Sequence, residues 1–181
     1  MSPPAPASPR RTAIYLAWVL AMALCFANAE IQIEGAAGWA AALPTWRIEH
    51  HWLLDIFWGG RAMTGYHAWV FPFMAMAFFA PLAFNGSWRG RDALLALAGL
   101  TVFWIAEDFL WFMLNPAYGW ARFDPAHATW HRHWLLGAPV EYWLGLAGAA
   151  AILMARHRPP SGRALRTAGV GTVRIGRRQG R

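Results

Sequence analysis

Four apolar runs, each close to the length of a bilayer crossing, leave few folds open to this chain. The first is apolar from Ala13 to Ala29, and the others cover roughly 67–85, 93–114 and 135–155. Composition agrees. Of 181 residues, 57% are hydrophobic and 14% charged, where a soluble domain carries roughly a quarter charged. The expected class is an all-α integral membrane protein with four transmembrane helices over about 13–34, 67–85, 93–114 and 135–155. These form a single domain, residues 12–156. The Pro-rich start, residues 1–11, and the Gly-, Pro- and Arg-rich tail, 157–181, are expected to be disordered.

The arginines set an orientation. The chain has no Lys, and Arg156, Arg158, Arg163, Arg166, Arg174, Arg177, Arg178 and Arg181 crowd its tail. Arg10 and Arg11 precede the first run, and Arg89 and Arg91 occupy the short loop between the second and third. Positive-inside bias therefore predicts a multi-pass protein of the cell membrane, with both termini cytoplasmic and the loops 35–66 and 115–134 outside. A basic tail beside a span touches anionic lipid, and no nucleic-acid fold signature accompanies it, so no nucleic-acid partner is expected. Arg10-Arg11, the apolar stretch and Ala27-Asn28-Ala29 also fit a secretory signal peptide, and the uncleaved helix is the favoured reading. Cys25 stands alone, which excludes a disulfide framework and a thiolate metal site.

This orientation gathers the polar residues. All histidines but His157, and all acids but Asp92, fall on the outer side, with Asp124 there as a cap. In DPAHATWHRHW, Asp124 reads as an N-cap and Pro125 as the first helical residue. His127 and His131 then share a helix face at the spacing by which two imidazoles grip one metal. Ala128 follows His127, so the HExxH of zinc proteases is absent. In PTWRIEHHWLLDIFW (44–58), a second interfacial helix is expected, with His51 and Asp55 one turn apart and His50 beside them. The fold expectation therefore includes two short interfacial helices in the outer loops, with His133 off the metal-binding face.

Glu107 and Asp108 sit inside the third run, where each acid costs roughly 2.5–3.5 kcal/mol at a helix centre. A chain keeps such groups only if they are paired, protonated or bound to a cation. Their bland explanation is an ion pair to Arg47, Arg61, Arg122 or Arg132. Glu141 lies just beyond Pro139 at the start of the fourth run. Candidate catalytic residues are Glu107, Asp108 and Glu141; candidate metal ligands are His127, His131, His51, His50 and Glu30. Imidazole and carboxylate without thiolate suit a divalent metal, iron, zinc or manganese.

One repeat links these residues. FANAE (26–30) and FWIAE (103–107) share F-x-x-A-E, and TWRIEHHWLL (45–54) and TWHRHWLL (129–136) share T-W and H-W-L-L. Each half of a duplicated unit would give one glutamate to a shared site. The leading functional expectation is a metal-dependent membrane enzyme acting on a lipid or other apolar substrate. The alternatives are an accessory subunit of a membrane complex and an ion- or proton-coupled transporter. Expected partners are membrane lipid and a homo-oligomer or larger membrane complex.

Overall fold

A computed structural model describes residues 8–57, 60–86 and 88–157. Of the segments expected to be disordered, 1–11 and 157–181, residues 1–7 and 158–181 lie outside the described residues, as does Trp58, while His157 ends the last helix. Helix α1 (Pro9–Glu34) is followed by strand β1 (Arg47–Ile48), helix α2 (Trp52–Phe57), strand β2 (Met63–Thr64), and helices α3 (Gly65–Phe84) and α4 (Gly90–Leu114). A 3-10 turn (Trp120–Arg122), strands β3 (Trp134–Leu135) and β4 (Ala138–Pro139), and helix α5 (Val140–His157) complete the chain. The fold is all-α apart from two antiparallel two-stranded ribbons, β1–β2 and β3–β4. Among the described residues three helices, α1, α3 and α4, are long and apolar enough to cross a membrane.

The boundaries follow local chemistry. Pro9, pre-set for a first helical turn, starts α1 earlier than expected, so Arg10 and Arg11 are helical rather than disordered. Thr64 caps α3 by accepting the His67 N–H. Asn115, held extended before Pro116, ends α4. The fourth apolar run becomes helical only at Val140, because residues 134–139 turn back as the β3–β4 ribbon.

Both expected loop helices need correction. The first is confined to Trp52–Phe57, since Arg47 and Ile48 pair with Thr64 and Met63 instead. The second does not form. Asp124 makes one turn, its carboxylate taking the Ala126 and His127 N–H groups. Beyond that turn the His131 N–H bonds to Ala128 O, three residues back and not four, so no α-helix continues, and Trp130 O accepts from Arg61 Nε at 2.7 Å and His131 O from Trp134 Nε1 at 2.9 Å.

Helix α4 is the hub, packing on α1, α3 and α5. It runs parallel to α1: Tyr15 donates to Leu95 O, Phe26 meets Phe103 and Trp104, and Asn115 Nδ2 donates to Gly35 O at 2.7 Å. Gly99 admits the Tyr15 ring, which leaves no room for a Cβ. Gly145 likewise lets α5 close on Ile105 and Thr101 of α4. Two aromatic-rich cores result. One holds Val19, Ala23, Met74, Phe78 and Phe103; the other holds Ile31, Trp111, Phe112, Phe123 and Tyr142. Large apolar side chains point outward from all four long helices, among them Trp18, Phe73, Leu94 and Leu144.

Asn115 is 3% exposed and also takes the Ala117 N–H at 3.0 Å. Asn115→Ala strands both partners and should lower unfolding stability by about 1–3 kcal/mol, read from chemical unfolding in detergent. Asn115→Asp keeps the acceptor and loses only the donor to Gly35, so it should fall between the two.

Candidate functional site

The C-terminal ends of α1 and α4, the N-terminal ends of α3 and α5, and the two long loops meet at one end of the bundle. There the chain lines an open cavity of about 1250 Å³. Its ionisable lining, including Glu30, Arg61, Glu107, Asp108, His131 and Glu141, belongs to that loop end. Away from it the walls are Ala68, Phe71, Pro72 and Ala75 of α3, Leu100, Thr101, Trp104 and Ile105 of α4, and Leu144 and Gly145 of α5. The space is therefore polar at one end and apolar along the rest.

His131 is the centre of the polar end. It is 4% exposed, and both ring nitrogens are used: Nε2 lies 3.0 Å from Asp108 Oδ2 and Nδ1 lies 2.7 Å from Glu141 Oε1. Tyr142 donates to the same Asp108 oxygen, and Arg61 pairs with the same Glu141 oxygen. Burial disfavours a charged imidazole, but Asp108, and then the bond to Glu141, outweigh it and raise the His131 pKa above its ordinary value. Tyr142, Asp108, His131, Glu141 and Arg61 thus form one continuous network, with Glu141 its more exposed carboxylate.

A second acidic group lines the same cavity. Glu30 of α1 and Glu107 of α4 stand side by side, and Tyr66 Oη donates to Glu30 Oε1 at 2.8 Å. Glu107 is 3% exposed, and its Oε1 is buried without a hydrogen-bond partner among the described residues. One turn further along α4, Trp111 Nε1 is likewise buried with no partner among them. Aromatic rings form a wall from the mouth inward. Arg61 lies over Trp39, Trp39 stacks on His67 at 4.0 Å, His67 meets Phe71, and Phe71 meets Trp104 edge-on at 4.8 Å. Trp39 and Ala40 both adopt positive φ, 53° in each case. This strained pair is held by the Ala40 N–H on Glu34 Oε1 and by Arg47 on Ala40 O.

The expected site residues divide accordingly. Glu30, Glu107, Asp108, His131 and Glu141 come to one cavity. His127 does not: it turns to Asp124, 3.0 Å away in the exposed loop, and this bond holds the Asp124 carboxyl below its usual range. His50 and His51 are exposed, and His51 Nδ1 accepts the Leu53 N–H at the start of α2. Asp55 therefore faces Arg132, 3.7 Å away, and not His51. Among the described residues, no three His, Cys, Asp or Glu side chains are arranged to hold a metal ion. Arg61 proves to be the ion-pair partner, serving Glu141 rather than Glu107 or Asp108. Tyr66, Tyr142, His67 and Trp39 are additions. The two tyrosines each adjoin a polar residue at the start of a helix, a weak signal in a chain this aromatic.

No protein-family model, curated protein or solved structure matches the chain.

The raised His131 pKa sets a pH dependence. Its contribution is fully present below the unfolded value, about 6.5, and is lost as pH rises through the higher folded value. Thermal unfolding followed from pH 6 upward should show declining stability in the wild type. His131→Gln should start lower and lose that part of the slope; an unchanged slope would remove His131 as its source.

Proposed function

We propose that the chain is a four-span membrane protein that receives a lipid-like amphiphile between α3, α4 and α5 and acts on its polar end by proton transfer. The observation that carries this reading is the cavity's division, apolar along three helices and ionisable only at the loop end. A small polar solute has no use for the apolar part. An apolar chain ending in a polar group matches both parts.

In this reading α5 is the fourth span, with Glu141 and Arg156 near its two ends. Trp52–Phe57 lies in the interface, and the arginine distribution puts the loop end outside. The cavity mouth then sits at the headgroup level of the outer leaflet. His131 holds a proton between Asp108 and Glu141. Glu141, which lines the cavity, passes that proton to or from the bound polar group, and Arg61 fixes the carboxylate in place. Tyr142 and Asp108 orient the imidazole from behind.

The geometry favours this chemistry over an imidazole-ligated metal, because a carboxylate occupies each nitrogen of His131. Metal analysis by mass spectrometry separates the two. Stoichiometric iron, zinc or manganese lost on His131→Ala would return the metal reading.

Extraction of the protein purified in mild detergent should yield a co-purifying amphiphile. Ala75→Trp and Ala68→Trp, each placing a ring in the apolar part, should lose it while remaining monodisperse. If nothing co-purifies, and no added long-chain compound binds saturably, the cleft reading falls.

A further inference from the structure

The Glu30–Glu107 pair is left over when the cations of the loop end are assigned. Arg61 serves Glu141 and the Trp130 carbonyl. Arg132 faces Asp55 and donates to Gly60 O, and Arg47 donates to Ala40 O. His131 lies between Asp108 and Glu141. Two adjacent carboxyl groups, hydrogen-bonded to each other, then remain at the cavity wall, with Tyr66 donating to Glu30. Glu107 Oε1 meets no donor among the described residues, although it is buried. A buried acceptor left without a donor is costly, and more so when charged.

We infer that the cavity's ligand is a long-chain primary amine, whose ammonium group binds between Glu30 and Glu107 while its alkyl chain fills the space between α3, α4 and α5. This rests on the amphiphile reading above and adds the chemistry of the head group. Three features select the amine. An ammonium supplies N–H donors, which Glu107 Oε1 lacks, and a charge opposite to the pair. Trp104 stands one turn before Glu107 on α4, with Phe71 edge-on to it, so the head group meets aromatic rings where it leaves the carboxylates. Below them Pro72, Ala75, Leu100 and Leu144 offer an unbranched chain only apolar contact. A bare divalent ion lacks this support, since no third His, Cys, Asp or Glu completes a metal site there among the described residues.

Full-length protein in nanodiscs of zwitterionic lipid, against empty nanodiscs, is titrated with radiolabelled dodecylamine, dodecanol and laurate. Dodecylamine should bind saturably and tightest. Glu107→Gln should weaken it about tenfold or more, the worth of one charge-assisted hydrogen bond, and leave dodecanol unchanged. Glu30→Gln should act in the same direction, and Glu107→Asp should recover part of the loss. Glu34→Gln, whose carbonyl can keep the Ala40 N–H away from the cavity, should bind as wild type. Dodecanol or laurate binding as tightly as dodecylamine, or full amine affinity in folded Glu107→Gln, overturns the amine assignment and leaves the cleft reading standing. Saturable binding of none of the three overturns the cleft reading, and this inference with it.

Discussion

The parallel packing of α1 on α4 is the constraint on which the loop end depends. Parallel neighbours in one chain need a long return, and here α3 and the short loop 85–89 supply it. The register is then set at both ends, by Tyr15 lying in the notch at Gly99 and by Asn115 donating to the Gly35 carbonyl just past α1. With those two points held, Glu30 and Glu107 must meet. Glu107 is thus buried by the same contacts that make the helix pair, and its cost is borne by aromatic packing of Phe26, Phe103 and Trp104 around the seam.

That cost is handled differently by the two carboxylates that are neighbours in sequence. Asp108 turns about 100° from Glu107, toward α5, and there finds Tyr142 and His131. Glu107 turns toward α1 and finds another acid. Adjacent residues on one helix therefore enter unlike networks, one closed by a histidine and an arginine, the other open toward the cavity. Two buried acids of equal cost need not share one role. The closed network is well satisfied, so it suits a proton that must be held and returned. The open pair leaves Glu107 Oε1 without a donor among the described residues, which suits a partner that comes and goes.

The helical class and the long helices were legible because apolar length and proline stops are local signals: Asn115-Pro116 ended α4 where expected. The gathering of Glu30, Glu107, Asp108, His131 and Glu141 was legible from topology and the expense of burying charge. The His127–His131 pairing was not, because i,i+4 spacing carries meaning only on a helix. The His131 N–H bonds to Ala128 O rather than to His127 O, and Arg61, distant in sequence, holds the Trp130 carbonyl. His51 failed similarly, its ring turned to its own helix start. Both errors come from long-range or side-chain bonds outbidding local propensity, which no spacing rule contains.

The repeated words sharpen that distinction. F-x-x-A-E occurs at 26–30 and 103–107, and both copies are helical, parallel and adjacent, with their glutamates in contact. H-W-L-L also occurs twice, yet Trp52-Leu53-Leu54 opens α2 while Trp134-Leu135 is a strand. The order helix, ribbon, helix nevertheless recurs, as α1, β1–β2, α3 and as α4, β3–β4, α5. The halves differ in what the ribbon delivers. In the first it leads to the Thr64 cap of α3 and buries His67 under Trp39. In the second it leads straight into Glu141 and Tyr142, beside His131. The first half thus carries aromatic lining of the cavity and the second its acid–base network.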